Sequence, residues 1–98
     1  MKIKVVVSES VKLDLLEAAS WYENAKKGLG KTFLLHIRKE KNRIAKNPTA
    51  FEIRYDSIRI AFTKRFPYGI HYEFIEEAAL IIIHAIFHTS INPDSWKK

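Results

Sequence analysis

The period of the apolar residues changes at about residue 52, from near 3.6 to 2, and this switch confines the chain to a helical half followed by a sheet half. Before it, Val11, Leu15, Ala18, Ala19 and Tyr22 recur at three- and four-residue spacing, as do Phe33, Leu34, Ile37, Ile44 and Ala45. These stripes predict two amphipathic helices. The first starts where Ser8 or Ser10 can cap it and runs to about residue 27, where Lys26, Lys27 and Gly28 end it. The second ends at Asn47, because Pro48 disfavours helix in the residue before it. Gly28-Leu29-Gly30 leaves only a short turn between them, so they form a hairpin. Lys2 to Val7, β-branched and short, reads as a preceding strand.

After the switch, Ile58, Ile60 and Phe62 alternate with Arg59, Ala61 and Thr63. Past the Arg65-Phe66-Pro67 corner, Tyr68, Ile70, Tyr72 and Phe74 alternate with Gly69, His71, Glu73 and Ile75. Two half-buried antiparallel strands are expected, then a turn at Glu76-Glu77 and a nearly continuous apolar strand from Leu80 to His88, covered on both faces. The order is strand, two-helix hairpin, then a three-stranded, mostly antiparallel sheet: an α+β fold in one domain spanning residues 1 to 98. A chain of 98 residues buries only about two-thirds of its unfolded surface, so its apolar residues must share one core. The tail from Thr89 to Lys98 has no period, and Trp96 is expected to pin it to the body.

With no cysteine, disulfides and thiolate chemistry are excluded. The segment from Met1 to Ser10 lacks the apolar stretch of a secretory signal, and the longest apolar run, Ala78 to Ile83, is far short of a membrane span of about 20 residues. A soluble, cytoplasmic protein without a membrane partner is expected. Net charge is +6, concentrated in the middle: residues 25 to 66 carry +9, and both flanks are net negative. Such a segment attracts acidic partners, nucleic acid or protein.

In the last strand Ile81, Ile83, Ala85 and Phe87 form an apolar set expected to meet the helices. The open face of the sheet is then expected to display Arg59, Thr63, His71, Glu73, His84 and His88, with Arg65 at the rim, a combination able to hold a phosphodiester and move protons. A single β-bulge would move part of this set to the other face. His84 and His88, four apart on a strand, lie roughly 13 Å from each other, too far to share one metal ion. No metal and no cofactor are expected.

The residues also carry a family resemblance. Trp21-Tyr22-Glu23, Gly28-Leu29-Gly30 with Phe33, Asn47-Pro48, Arg65-Phe66-Pro67-Tyr68 with Tyr72, and Ala85-Ile86-Phe87-His88 with Pro93 and Trp96 follow in an order that resembles the RelE/ParE superfamily of toxins from bacterial type II toxin-antitoxin pairs. The likeness is nearest to the ParE-like, plasmid-stabilisation branch. That branch usually carries an arginine between His88 and Pro93, where this chain has Ile91.

The resemblance implies a toxin that inhibits DNA gyrase by binding and is neutralised by a cognate acidic antitoxin, with Arg59, Lys64, Arg65, Tyr68 and His88 as contact residues. The alternative it implies is a ribosome-dependent mRNA endonuclease, in which Arg59 and Arg65 hold the phosphate while His88, with His71 or Glu73, moves protons. A third reading, prompted by Ile91, is a degenerate member that only binds antitoxin. Without antitoxin, an exposed sheet edge could pair two copies.

Overall fold

The computed structural model describes residues 2–96; Met1, Lys97 and Lys98 lie outside the described residues, the last two taking the end of the expected tail with them. The chain runs β1 (Lys4–Val7), α1 (Glu9–Ala25), α2 (Leu29–Lys46), β2 (Ile53–Tyr55), β3 (Ile58–Phe62), β4 (Tyr68–Ile75) and β5 (Leu80–His88), with short 3-10 turns at Glu76–Ala78 and Pro93–Ser95. The α+β order matches the sequence expectation. The sheet has five strands in the order β1-β5-β4-β3-β2, with β1 parallel to β5 and the other pairs antiparallel. No described helix is long and apolar enough to cross a membrane.

Ser8 caps α1, its Oγ accepting from the Val11 amide at 3.3 Å. The helix turn is built by one side chain. The Glu23 carboxylate accepts the amides of Gly28 at 2.9 Å and Gly30 at 3.0 Å, two N–H groups that would otherwise be left unpaired at the start of α2. Gly28 supplies the left-handed conformation the turn needs, with φ of 88°. Gly30 supplies close approach: a Cβ there would lie 2.5 Å from the Ala19 carbonyl oxygen.

Both predicted stripes reach the core. Val11, Ala19, Phe33, Ile37 and Ile44 are buried against Ala61, Ile70, Tyr72, Ile81, Ile83 and Ile86 of the sheet. Glu40 occupies a core position on the α2 stripe and is 3% exposed. Arg43 Nη1 donates to its carboxylate at 2.8 Å and lies 5.7 Å from the Phe51 ring. At the turn end of the hairpin, Tyr22, Phe33, Phe66 and Tyr68 form an aromatic cluster with ring centroids 5.0 to 6.4 Å apart, edge-to-face except for the tilted Tyr22–Phe33 pair. Pairs in this range add roughly 0.5 to 1.5 kcal/mol each beyond burial.

The glycine contact gives two opposed effects that can be weighed. Alanine is the better helix former by about 1 kcal/mol. Against it stands an overlap with a backbone oxygen that can be relieved only by separating the helices, a typical overpacking cost of roughly 1 to 3 kcal/mol. Gly30→Ala should therefore lower the urea midpoint; an unchanged or higher midpoint would show that α1 and α2 are not locked at this contact.

Candidate functional site

The register of the sheet decides which side chains share a face. Ala61 stands opposite Ile70 and Arg59 opposite Tyr72, so Arg59 and Ala61 point toward the helices, while Ile60 and Phe62, opposite His71 and Gly69, lie on the open face. This corrects the expected phase of β3, in which Arg59 and Thr63 were to line the open face. The reason is size: beneath α2 the space left by Phe33, Phe66, Ile70 and Tyr72 takes Ala61 at 0% exposure. Ile60 is nearly as buried, at 3%, on the other side.

In β5 one extra residue changes the phase. Ile83 pairs with Tyr72 and Ala85 with His71, leaving His84 as a bulge. Ile81 and Ile83 face the helices as expected, but beyond the bulge Ile86 joins them, and Ala85 and Phe87 turn to the open face. The expected helix-facing set of Ile81, Ile83, Ala85 and Phe87 is thus split, and His88, opposite Tyr68, leaves the open face.

The proposed acid–base and cationic groups are therefore distributed. Arg59 Nη1 donates to the Phe51 carbonyl on the helix side. The Thr63 hydroxyl donates to the carbonyls of Phe66 and Tyr68 and serves the β3–β4 corner. His71 remains on the open face but is 1% exposed. It shares a 2.8 Å hydrogen bond with the Tyr55 hydroxyl and is covered by Trp96, whose ring centroid is 4.8 Å away, and by Phe87 at 4.9 Å. Trp96 thus holds the tail to the body. Burial, with a smaller contribution from Arg54, pushes the imidazole down to about 4. Glu73 accepts from His84 Nε2 at 3.0 Å. His88 sits at the end of β5, its Nδ1 accepting from the Ser90 amide at 3.0 Å and its ring 5.3 Å from Tyr68. Lys64 and Arg65 are exposed in the corner, the Arg65 guanidinium 5.6 Å from the Phe66 ring.

Of the sequence-derived candidates, Tyr68 and His88 are brought together, whereas Arg59 and His71 stand on opposite faces. Burial, then Tyr22, raises the Tyr68 phenol. Tyr68 is also one ring of the aromatic cluster. The arginines near position 60 are scattered: Arg54 lies on the open face 5.8 Å from the Phe62 ring, Arg59 on the helix side and Arg65 at the rim. No carboxylate pairs with them by a salt bridge among the described residues. The open face is consequently more aromatic and apolar than cationic, with Phe62 44% exposed and a cleft of about 270 Å³ beneath Trp96 and Phe87. A second groove, of about 1020 Å³, runs between α1 and the end of β5 and is lined by Asp14, Glu17, Trp21, Tyr22, Tyr68 and His88. Among the described residues no group of three His, Asp or Glu side chains is placed as metal ligands would be.

Sequence reasoning missed β2, and with it Arg54 and Tyr55. The available signal was Asp56-Ser57, a two-residue link in which Asp56 takes a positive φ of 50°. It also missed the groove on α1, where Trp21 is 69% exposed beside the stripe rather than on it.

A helical hairpin on one face of this five-stranded sheet is the fold of RelE-type toxins. The isolated E. coli RelE toxin superposes with a TM-score of 0.66 at 12% identity, covering 97% of this chain and 93% of that one. The RelBE2 toxin-antitoxin complex from Mycobacterium tuberculosis gives 0.61 at 12% identity over 90% and 99%. A free-state arginine-to-alanine double mutant of E. coli RelE gives 0.61 at 11% over 92% and 86%. No curated protein sequence matches. The family model for the ParE toxin of type II toxin-antitoxin systems, parDE, matches residues 5–93, and the chain belongs to that family: it is a type II toxin-antitoxin toxin of the RelE/ParE group.

The buried imidazole makes stability depend on pH with a definite sign. His71 is neutral in the folded chain down to about 4, whereas in the unfolded chain it takes up a proton near 6.5. The unfolded state binds the extra proton first, so stability falls as pH drops from about 6.5 toward 4 and this contribution levels off below, a total of roughly 3 kcal/mol. Urea unfolding of the wild type and His71→Leu at pH 7 and 4.5 should give a larger acid loss for the wild type; equal losses would show that the imidazole is not held neutral.

Proposed function

We propose that this toxin acts by binding a protein target, DNA gyrase, without chemistry of its own, and that a cognate acidic antitoxin neutralises it. The observation that carries the reading is the separation of the groups a ribonuclease would need. Proton transfer requires an acid or base within about 3 Å of the reacting atom, with cations around the same phosphate. Here Arg59 is held on the helix side, His71 is sealed under Trp96, Glu73 is paired with His84, and His88 is turned toward Tyr68. The open face instead offers partly exposed aromatic side chains, Phe62 and Phe87, with polar groups at the rim, the composition of a protein-binding surface.

In this reading Lys64, Arg65 and His88 contact the target at the rim, Tyr68 supports His88 from the core, and Arg59 acts as a positioning residue for the segment beside β3. The antitoxin partner is supported by membership in a toxin-antitoxin family. Gyrase as target makes the bacterial cytoplasm the site of action. A small acidic protein should co-purify when the neighbouring reading frame is co-expressed; its absence would remove the antitoxin from the reading.

Purified gyrase should lose supercoiling activity in the presence of the protein, and Arg65→Ala should weaken inhibition by about tenfold, the equivalent of roughly 1.4 kcal/mol at an interface anchor. Undiminished supercoiling at saturating protein would overturn the reading. So would cleavage of mRNA on translating ribosomes that disappears in His88→Ala, which would install the endonuclease in its place. Absence of growth arrest on induced expression would favour the module that only binds antitoxin.

A further inference from the structure

The two helices of the hairpin carry opposite charge. On α1 the acids Glu9, Asp14, Glu17 and Glu23 face a single Lys12. On α2 the only acid is Glu40, and it is buried and held by Arg43. The outer face of α2 is left with Lys31, Arg38, Lys39 and Lys46, all exposed and none paired with a carboxylate by a salt bridge among the described residues. Nor do the acids of α1 compensate them: Asp14 and Glu17 line the groove beside β5, and Glu23 is committed to the amides of Gly28 and Gly30.

The spacing is regular. Lys31 and Arg38 are seven residues apart, as are Lys39 and Lys46, so each pair lies on one side of the helix about 10 Å apart, along a helix of about 27 Å. Unneutralised cations in two rows repel one another, and nothing in the packing of α2 requires them there. A partner that supplies negative charge at short, repeated intervals relieves that repulsion. A duplex carries one charge per about 1.7 Å of axis, so each cation can meet its own phosphate. An acidic protein fits less well. Protein interfaces centre on buried apolar anchors and are depleted in lysine, and Leu35, 48% exposed, is the single large apolar side chain exposed on α2.

We propose that the outer face of α2, through Lys31, Arg38, Lys39 and Lys46, docks on the phosphate backbone of duplex DNA independently of base sequence. The choice of DNA rests on the reading of gyrase, an enzyme that acts on duplex DNA, as target. The sheet face and the α2 face lie on opposite sides of the hairpin–sheet sandwich, so one can engage protein while the other engages the duplex.

The test is fluorescence anisotropy of a labelled 30-base-pair duplex with the full-length protein between 50 and 200 mM KCl. Binding should be indifferent to sequence, with a slope of log K against log salt of about −3 to −4 for four neutralised phosphates. The variant R38A/K39A/K46A should weaken binding by at least about tenfold and bring the slope about 3 closer to zero, whereas K4A/K12A, exposed on other surfaces, should bind within about twofold to threefold of the wild type. Circular dichroism of both variants establishes that they fold. No binding at 50 mM KCl, a triple variant that binds as the wild type does, or tighter binding to an RNA duplex or to poly-glutamate than to DNA would each overturn the proposal. Supercoiling assays on the same preparation separate the two claims. Inhibition without duplex binding overturns the α2 surface and leaves the gyrase reading; salt-dependent duplex binding through α2 without inhibition supports the surface and removes the gyrase reading.

Discussion

The architecture depends on one extra residue in β5. This strand lies between β1 and β4, and α1 packs against it, so its phase is felt on every side. A regular strand would alternate strictly, and Ile86 would leave the core while Ala85 and Phe87 entered it. The bulge at His84 lets Ile81, Ile83 and Ile86 all face the helices, opposite Phe74, Tyr72 and Ile70. Fully burying one such side chain contributes roughly 1.5 to 3 kcal/mol, a large share of the margin of a 98-residue domain. The same bulge turns Phe87 outward, where it and Trp96 close over His71. Core and open face are thus set together.

Much of the fold was legible in the sequence because helices report their environment through a wide stripe. Val11, Leu15, Ala18, Ala19 and Tyr22 all meet the core, and so do Phe33, Leu34, Ile37 and Ile44, so no error of one position could hide them. Strands report theirs through a binary alternation, which carries no sign when both faces are partly covered. In β3, Ile58, Ile60 and Phe62 look like the inward set, yet Ala61 is the residue beneath the helices, because Ile60 is buried by its own neighbours on the far side. A bulge leaves still less trace: nothing in Ile83-His84-Ala85 distinguishes an extra residue from a regular one. The candidate site, which rested on strand phase, was therefore legible in its parts and not in its assembly. Membership in the toxin family rested on turn and aromatic motifs, which do not depend on phase.

Arg59 illustrates how a residue that reads as functional can be structural. Residues 47–52 have no regular hydrogen-bonded ladder, and their buried carbonyls need donors from elsewhere. The Tyr72 hydroxyl donates to Pro48 at 2.6 Å, Arg59 donates to Phe51, and Arg43 lies over the Phe51 ring while neutralising Glu40. Burial, opposed by the neighbouring Arg59, pushes the Tyr72 phenol up to about 12, which keeps it a donor across the physiological range. A cation at this place satisfies a loop that joins the end of α2 to the sheet, and it is unavailable for a phosphate on the opposite face.

The aromatic cluster gives the rim the fixed backbone that the proposed binding role of Lys64 and Arg65 requires. A cysteine-free chain of this size has no cross-link to stiffen a five-residue corner. The corner between β3 and β4 is instead fixed from both directions. Phe66 enters the core against Tyr22 and Phe33, while the Thr63 hydroxyl and amide bind the carbonyls on the corner's far side. Lys64 and Arg65 project from a backbone that has already lost its freedom, so ordering it is not charged against binding. The same rings tie the corner to Glu23's neighbour Tyr22, one residue from the clamp that sets the hairpin turn. A displacement of the helices would therefore move the rim with them.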